Sequence, residues 1–190
     1  TGIVGGAVPS GGTLLSLAEM NRVLGVRQLP DGRFAVRVEP AVTVAELEEM
    51  LASGDLVVDA SALTPDEARA IDTMLADEHG YFYPPDPTET SAHLGATAAT
   101  NASGARSFYY GPTRKHVHAL RVVLPCGEVV AAERGVYTAG DGLFDIRLSD
   151  GTALRATVPG YTMPETKNAA GYYAHPDVDL VDLFIGSEGT

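Results

Sequence analysis

Residues 84–111 read PPDPTETSAHLGATAATNASGARSFYYG. From Ser91 to Gly104 almost every residue is small. Small residues let a backbone approach a flat or extended ligand closely, because no side chain stands between them. Thr88, Thr97, Thr100, Asn101 and Ser103 add hydroxyl and amide groups that bind neutral or anionic oxygens. Arg106 is the one Lys or Arg in the stretch, so backbone and hydroxyl groups would have to carry any recognition of a phosphate. The same pattern also fits a helix of small residues packed closely on a sheet. The residues alone leave both readings open.

Working outward, Tyr81–Pro87 (YFYPPDP) is expected to be extended, because its prolines restrict themselves and the residues before them. Upstream, Thr64-Pro65-Asp66-Glu67 predicts a helix start, with Thr64 as N-cap and Glu67 as its reciprocal partner. Ala68, Ile71, Met74 and Leu75 give that helix an apolar stripe, and Gly80 lies just beyond its expected end. Thr43 and Glu46 form a second capping box, before a helix with Val44, Leu47, Met50 and Leu51 on one face. Phe34–Val38 alternates as a strand, and Thr13–Leu17 reads as a short apolar strand. Downstream, Leu120–Leu124 and Glu128–Ala131 read as a hairpin around Pro125-Cys126-Gly127. Phe144–Ser149 and Thr152–Val158 read as another, around the turn-forming pair Asp150-Gly151. Helices and strands mix without the regular alternation of a doubly wound parallel sheet, so the class is α+β.

Composition narrows the function. The 190 residues carry 13 Lys plus Arg against 25 Asp plus Glu, a net charge of −12. Such an acidic chain is a poor partner for nucleic acid or for an anionic membrane surface. No apolar run approaches the roughly 20 residues of a spanning helix. Cys126 is the single cysteine, which excludes an internal disulfide and a multi-cysteine metal site. His79, His93, His116, His118 and His175 are scattered, and no metal is expected. His116 and His118 would share a face if their segment were a strand.

Two further motifs bear on chemistry. Gly2-Ile3-Val4-Gly5-Gly6 is a glycine-rich turn whose backbone N–H groups can converge on an anion; the bland alternative is a tight turn. It is neither a Walker loop nor a good dinucleotide fingerprint. Near the other end, Lys167 is a candidate electrostatic partner for an anionic substrate or reduced cofactor. Glu188, within Gly186-Ser187-Glu188-Gly189-Thr190, is a candidate acceptor for a ligand N–H. A lone Lys or a lone turn Glu is more often surface. Both chain ends read as interrupted, so a fragment of a longer protein is expected.

Taken in order, TGIVGGAVP at 1–9, the run from Pro84 through Val130, KNAAGY at 167–172 and GSEGT at 186–190 resemble FAD-binding domains of the vanillyl-alcohol-oxidase (PCMH) type. Within that superfamily the chain is similar to FAD-linked 2-hydroxy-acid oxidoreductases, the glycolate oxidase and D-lactate dehydrogenase group. The resemblance implies a two-part domain of mixed sheets flanked by helices, here truncated at both ends. Residues 1–60 would end the first part and 61–190 would form most of the second, with a hairpin insertion at 132–164. The C-terminal cap that supplies most substrate-binding residues would be missing, so the fragment alone is expected to be inactive.

Carried over by motif, Thr1, Gly2, Ile3, Val4, Gly5 and Gly6 would bind the FAD pyrophosphate. Pro87 and Thr88 would line the flavin and ribityl side. Gly95, Ala96 and Thr97 would pack on the dinucleotide, and Thr100, Asn101, Ser103 and Gly104 would continue that wall. Tyr110 and Gly111 follow, Glu188 and Gly189 would close on the cofactor, and Lys167 and Asn168 would fall near the flavin face. Two motifs depart from the family. His93-Leu94-Gly95-Ala96 replaces the frequent Thr-Ile-Gly-Gly, and Asn101-Ala102-Ser103-Gly104 replaces Asn-Ala-Gly-Gly. The implied activity is oxidation of a 2-hydroxy acid such as D-lactate or glycolate, with electrons passed to a quinone or a downstream iron–sulfur region. The implied location is cytoplasmic, with peripheral attachment to the inner membrane as a variant. A flavin-dependent transferase of the alkylglycerone-phosphate synthase type, or an FAD-binding module without turnover, are the alternatives.

Overall fold

The computed structural model describes residues 8–58, 63–148, 150–166 and 171–189. Among them, the strands form antiparallel hairpins, and Val23 also meets Val58 in an isolated parallel bridge. Strand β1 (Val23–Gln28) pairs with β2 (Phe34–Val38), with Val26 opposite Val36. Helix α1 spans Val44–Ser53 and α2 spans Pro65–Leu75. Short helices α3 (Leu94–Ala99) and α4 (Ser107–Tyr110) follow, then a 3-10 turn at Thr113–His116. Strand β3 (Ala119–Val123) pairs with β4 (Val129–Glu133), and β5 (Leu143–Arg147) with β6 (Ala153–Thr157). Helix α5 (Leu180–Phe184) ends the series. The content is mixed, as the α+β reading expects.

Both capping boxes form. Thr43 Oγ1 accepts from the Glu46 N–H at 3.1 Å, and Glu46 accepts from the Thr43 N–H at 2.7 Å. Thr64 and Glu67 repeat the exchange at 3.2 and 2.9 Å, with Pro65 opening α2. Each box satisfies N–H groups that a helix start leaves without an internal partner. Helix α2 ends at Leu75, with Ala76 as its cap, so Gly80 belongs to the next turn rather than to the helix end.

Two expectations fail in this half. Thr13–Leu17 is not a strand: it has no ladder partner among the described residues, and its side chains are exposed. Strand β1 arises where the sequence reading assigned nothing. A bulge between Val23 and Gly25 interrupts its alternation. The signal that marks the hairpin is Asp31-Gly32, where the Gly32 N–H reaches the Leu29 carbonyl at 2.9 Å.

One core gathers Val26, Ala70 and Met74, with Phe34, Val36, Leu51, Leu56, Ile71 and Tyr81 against them. It draws on residues from both sides of position 60. Arg37 donates to Glu67 at 2.8 Å and fastens β2 to α2. The second core holds Val130, Ala132, Phe144, Ile146, Leu180, Val181 and Ile185. Alternation sets it: Val130 and Ala132 on β4, and Phe144 and Ile146 on β5, turn inward while their neighbours face out. The hairpin within 132–164 therefore supplies part of this core. Apart from Thr13–Leu17, the predicted strands form to within one or two residues.

Residues 90–95 strap the two halves together. Ala92 and Thr90 carbonyls accept from the Val44 and Ala45 N–H groups at 3.0 and 2.9 Å, completing the start of α1. The Leu94 and Gly95 N–H groups return to the Val42 and Pro40 carbonyls at 2.8 and 2.9 Å. Arg27 on β1 also reaches Glu133 on β4 at 2.9 Å. Position of α3 is thus set by the loop before α1.

Candidate functional site

The small-residue stretch resolves into a short helix and a tight return. Thr97 and Ala98 are buried, and the Thr97 and Thr100 hydroxyls donate to the Leu94 and Ala96 carbonyls at 2.8 and 2.9 Å. Asn101 ends α3 in a left-handed conformation, φ 47°, which asparagine tolerates better than most residues. Its side-chain carbonyl accepts from the Arg114 N–H at 3.0 Å, so Asn101 first serves the fold. Ala102 accepts from both the N–H and the hydroxyl of Thr113, at 3.0 and 2.8 Å.

Gly104 then meets the proline-rich segment. It pairs with Pro87 in an isolated antiparallel bridge. The Gly104 N–H donates to Ser107 Oγ at 2.9 Å, and that hydroxyl donates to the Pro85 carbonyl at 3.0 Å. A Cβ at Gly104 would lie 1.6 Å from the Asp86 carbonyl oxygen, so only glycine permits this approach. Residues 81–87 are non-helical as expected, but not uniformly extended: Asp86 turns left-handed at φ 47°. Arg106 lies 3.4 Å from Asp86 and sits over the Phe82 ring, so the one cation of the stretch is engaged within the fold.

The closing turn docks on the end of α3. The Gly186 N–H donates to the Ala98 carbonyl at 3.0 Å, and the Glu188 N–H to the Ala99 carbonyl at 2.8 Å. Thr100, Asn101, Glu188 and Gly189 therefore meet at one end of the helix, as Pro87 and Gly104 meet beside it. A Cβ at Gly189 would find nothing within 4 Å, so that edge is open. Gly95 instead faces Pro40 of the first half, and Thr88 lies exposed. Ala96 and Ser103 are half-buried along the same run. Tyr110 ends α4 beside Phe82 and Tyr109, edge-on at 5.4 and 4.8 Å, and buried Gly111 follows. Thr1, Gly2, Ile3, Val4, Gly5, Gly6, Lys167 and Asn168 lie outside the described residues.

His116 and His118 do not share a strand face: His116 belongs to the 3-10 turn that precedes β3. Its Nε2 lies 3.1 Å from the Tyr110 carbonyl, which can only accept, so Nε2 carries the proton. Burial lowers the His116 pKa below its ordinary 6.5, against the raising effect of the Tyr110 carbonyl; Arg33 and Lys115 lower it further. Below pH 6.5 the unfolded chain then binds the proton more readily, so stability falls as pH drops toward the folded value. His116→Gln is expected to flatten that dependence below pH 6.5 in denaturant melts. An unchanged slope would assign it to other groups.

Several residues that shape this wall escaped the sequence reading. Tyr83 is largely buried, with its hydroxyl in hydrogen-bond contact with Thr113 and Thr97; burial, the larger effect, raises its pKa. Arg114, Arg134 and Asp182 form a cluster behind the closing turn. Arg114 was visible in the basic run Arg114-Lys115-His116, but a search for cations facing a ligand passes over one that faces the protein.

Backbone groups, hydroxyls and short side chains make up the described wall. The Thr97, Thr100, Gly186 and Glu188 donors are used on backbone carbonyls within the fold, so what this wall offers a ligand is close approach along small residues. Among the described residues, no three His, Cys, Asp or Glu side chains gather as a metal-ligating set. None of their helices is long and apolar enough to cross a membrane. A groove of about 430 Å³ between the two downstream hairpins is lined by Arg121, Val129, Tyr137 and Arg147 and by none of the expected site residues.

Comparison with known proteins bears on the cofactor. Residues 73–133 match the family described as FAD binding domain, so the cofactor is FAD. The whole chain is similar to a D-lactate dehydrogenase of Anaerostipes hadrus, 34% identical over 191 residues that make up 27% of that protein. It is 27% identical to the glycolate oxidase subunit GlcD of Bacillus subtilis, covering all of this chain and 27% of that protein. An uncharacterized FAD-linked oxidoreductase of Mycobacterium tuberculosis is 33% identical, with all of this chain and 28% of that protein covered. The chain thus spans about a quarter of the length of these relatives.

Proposed function

We propose that this chain, whose residues 73–133 belong to the FAD binding domain family, is the cofactor-holding part of an FAD-dependent oxidoreductase acting on a 2-hydroxy acid such as D-lactate or glycolate. The observation that carries the substrate class is similarity along the full chain to relatives named for those two acids. When bound, FAD supplies the acceptor for the substrate's two electrons. The chain's own residues bind and orient it. Pro87 and Thr88 line the flavin and ribityl side, and Ala96, Thr97, Thr100, Asn101, Ser103 and Gly104 continue the wall. Gly95 braces its base, Tyr110 and Gly111 bound one edge, and Glu188 and Gly189 close the other. By motif, the pyrophosphate is assigned to Thr1, Gly2, Ile3, Val4, Gly5 and Gly6, and the flavin face to Lys167 and Asn168.

The proposal includes a PCMH-type fold in two parts, 1–60 and 61–190, with an insertion at 132–164. It also includes a separate electron acceptor, a quinone or an iron–sulfur region, and a cytoplasmic location with peripheral membrane attachment as the variant. The test is anaerobic addition of D-lactate and of glycolate to the natural flavoprotein that contains this chain. Bleaching of the visible flavin bands by either acid is the expected result. A flavin that stays oxidised with both, yet is reduced by dithionite, would overturn the substrate class.

A further inference from the structure

Arg114 touches every element that meets at the closing turn, and it does so from behind the wall. Its backbone N–H holds Asn101, the left-handed residue that ends α3. Its guanidinium donates to the carbonyls of Asp182 and Ile185 at the end of α5. The same group lies 4.5 Å from the centre of the Tyr173 ring. Gly186 fits between the two: a side chain there would begin 3.2 Å from Arg114 Nη2 and 3.3 Å from Asn101 Cβ. Only 14% of the Arg114 side chain is exposed.

Arg134 locks this arrangement. It donates to both carboxylate oxygens of Asp182 at 2.8 and 3.0 Å, to the Arg114 carbonyl at 2.6 Å and to the Val117 carbonyl at 2.7 Å. The Asp182 carboxylate therefore answers two guanidinium groups, one at 2.8 Å and one at 3.4 Å. Burial pulls the Arg114 pKa down, and Asp182 opposes it. A desolvated cation with such directed partners is a geometric device, since a flat fork fixes two acceptors at once.

We propose that Arg114 is a positioning residue for FAD: with Asp182 and Arg134 it seats the turn 186–189 on the end of α3 and so sets the shape of the cofactor wall. The inference rests on the proposed reading of that wall as the FAD site. Lysine at 114 would keep the charge but could not hold two carbonyls and stack flat on Tyr173. Asp182→Asn would keep the carbonyl oxygens that Arg114 uses and lose only the carboxylate.

The test uses the natural protein that contains this chain, stripped of flavin and titrated with FAD by fluorescence quenching. Wild type, Arg114→Lys and Asp182→Asn are compared, with the unfolding midpoint of each apoprotein measured alongside. Arg114→Lys is expected to weaken FAD binding about tenfold to a hundredfold and to shift the flavin bands. Its apoprotein midpoint should stay within a few degrees of wild type, because the core around Phe144 does not include Arg114. Asp182→Asn should fall between the two. Binding by Arg114→Lys within about twofold of wild type, with unchanged bands, would overturn the proposal. So would FAD loss that merely parallels loss of folded apoprotein in both variants. A folded wild type that takes up no FAD would overturn the site reading along with it.

Discussion

Gly104→Ala is expected to disrupt the wall more than any other single methyl added to it. The new Cβ would lie 1.6 Å from the Asp86 carbonyl oxygen and 3.0 Å from Pro87 Cα. Both neighbours are backbone, so no side chain can swing aside. Relief requires breaking the Pro87–Gly104 bridge and, with it, the Ser107 hydroxyl link between Gly104 and Pro85. Overpacking of this kind costs about 3 kcal/mol or more, at the upper end of its usual range. FAD affinity should fall with it, since Pro87 and Gly104 sit in the proposed wall. Ala105→Ser, at the exposed next residue, should change stability by less than about 0.5 kcal/mol. Denaturant melts of the two variants check the contrast, and equal midpoints would contradict the close approach.

Phe144→Ala should cost about 3–5 kcal/mol, as for truncation of a large buried aromatic. Phe144 is only 1% exposed and stands in the second core with Ile146, Val130 and Leu180. Leu154, on the partner strand, is 37% exposed, so Leu154→Ala should cost less than about 1 kcal/mol. The pair of variants reads out what the hairpin does. A hairpin that only decorates the surface would melt alone and leave the main transition unmoved. One that supplies the core lowers the main transition when Phe144 is lost, and that is the expected outcome.

Local chemistry was the legible part of this sequence. The Thr43–Glu46 and Thr64–Glu67 boxes close within three residues, so their signals sit in one short window. Asp150-Gly151 and Pro125-Cys126-Gly127 announced their hairpins for the same reason. Strand β1 was hidden because a bulge at Gly25 breaks its period of two. Thr13–Leu17 misled in the opposite direction: it has strand composition, but pairing depends on a neighbour that composition cannot supply.

The site divides along the same line. Smallness at 91–104 was plain in the sequence, yet the reason for each small residue was not. Gly104 is small for Asp86 and Gly95 lies against Pro40, contacts with residues far off in the chain or in a different element. Arg114 shows the limit most clearly, since its acceptors on Asp182 and Ile185 lie 68 and 71 residues away. A cation whose partners are that distant looks like surface in a one-dimensional reading.

The most direct test of the account is whether the natural protein containing this chain carries FAD. The flavin released from the purified, heat-denatured protein would be identified by chromatography and counted against protein. The account predicts FAD at about one per chain when the wild-type apoprotein is saturated, with Arg114→Lys needing about tenfold to a hundredfold more FAD to reach it. A folded protein that stays colourless and takes up no added FAD would contradict it.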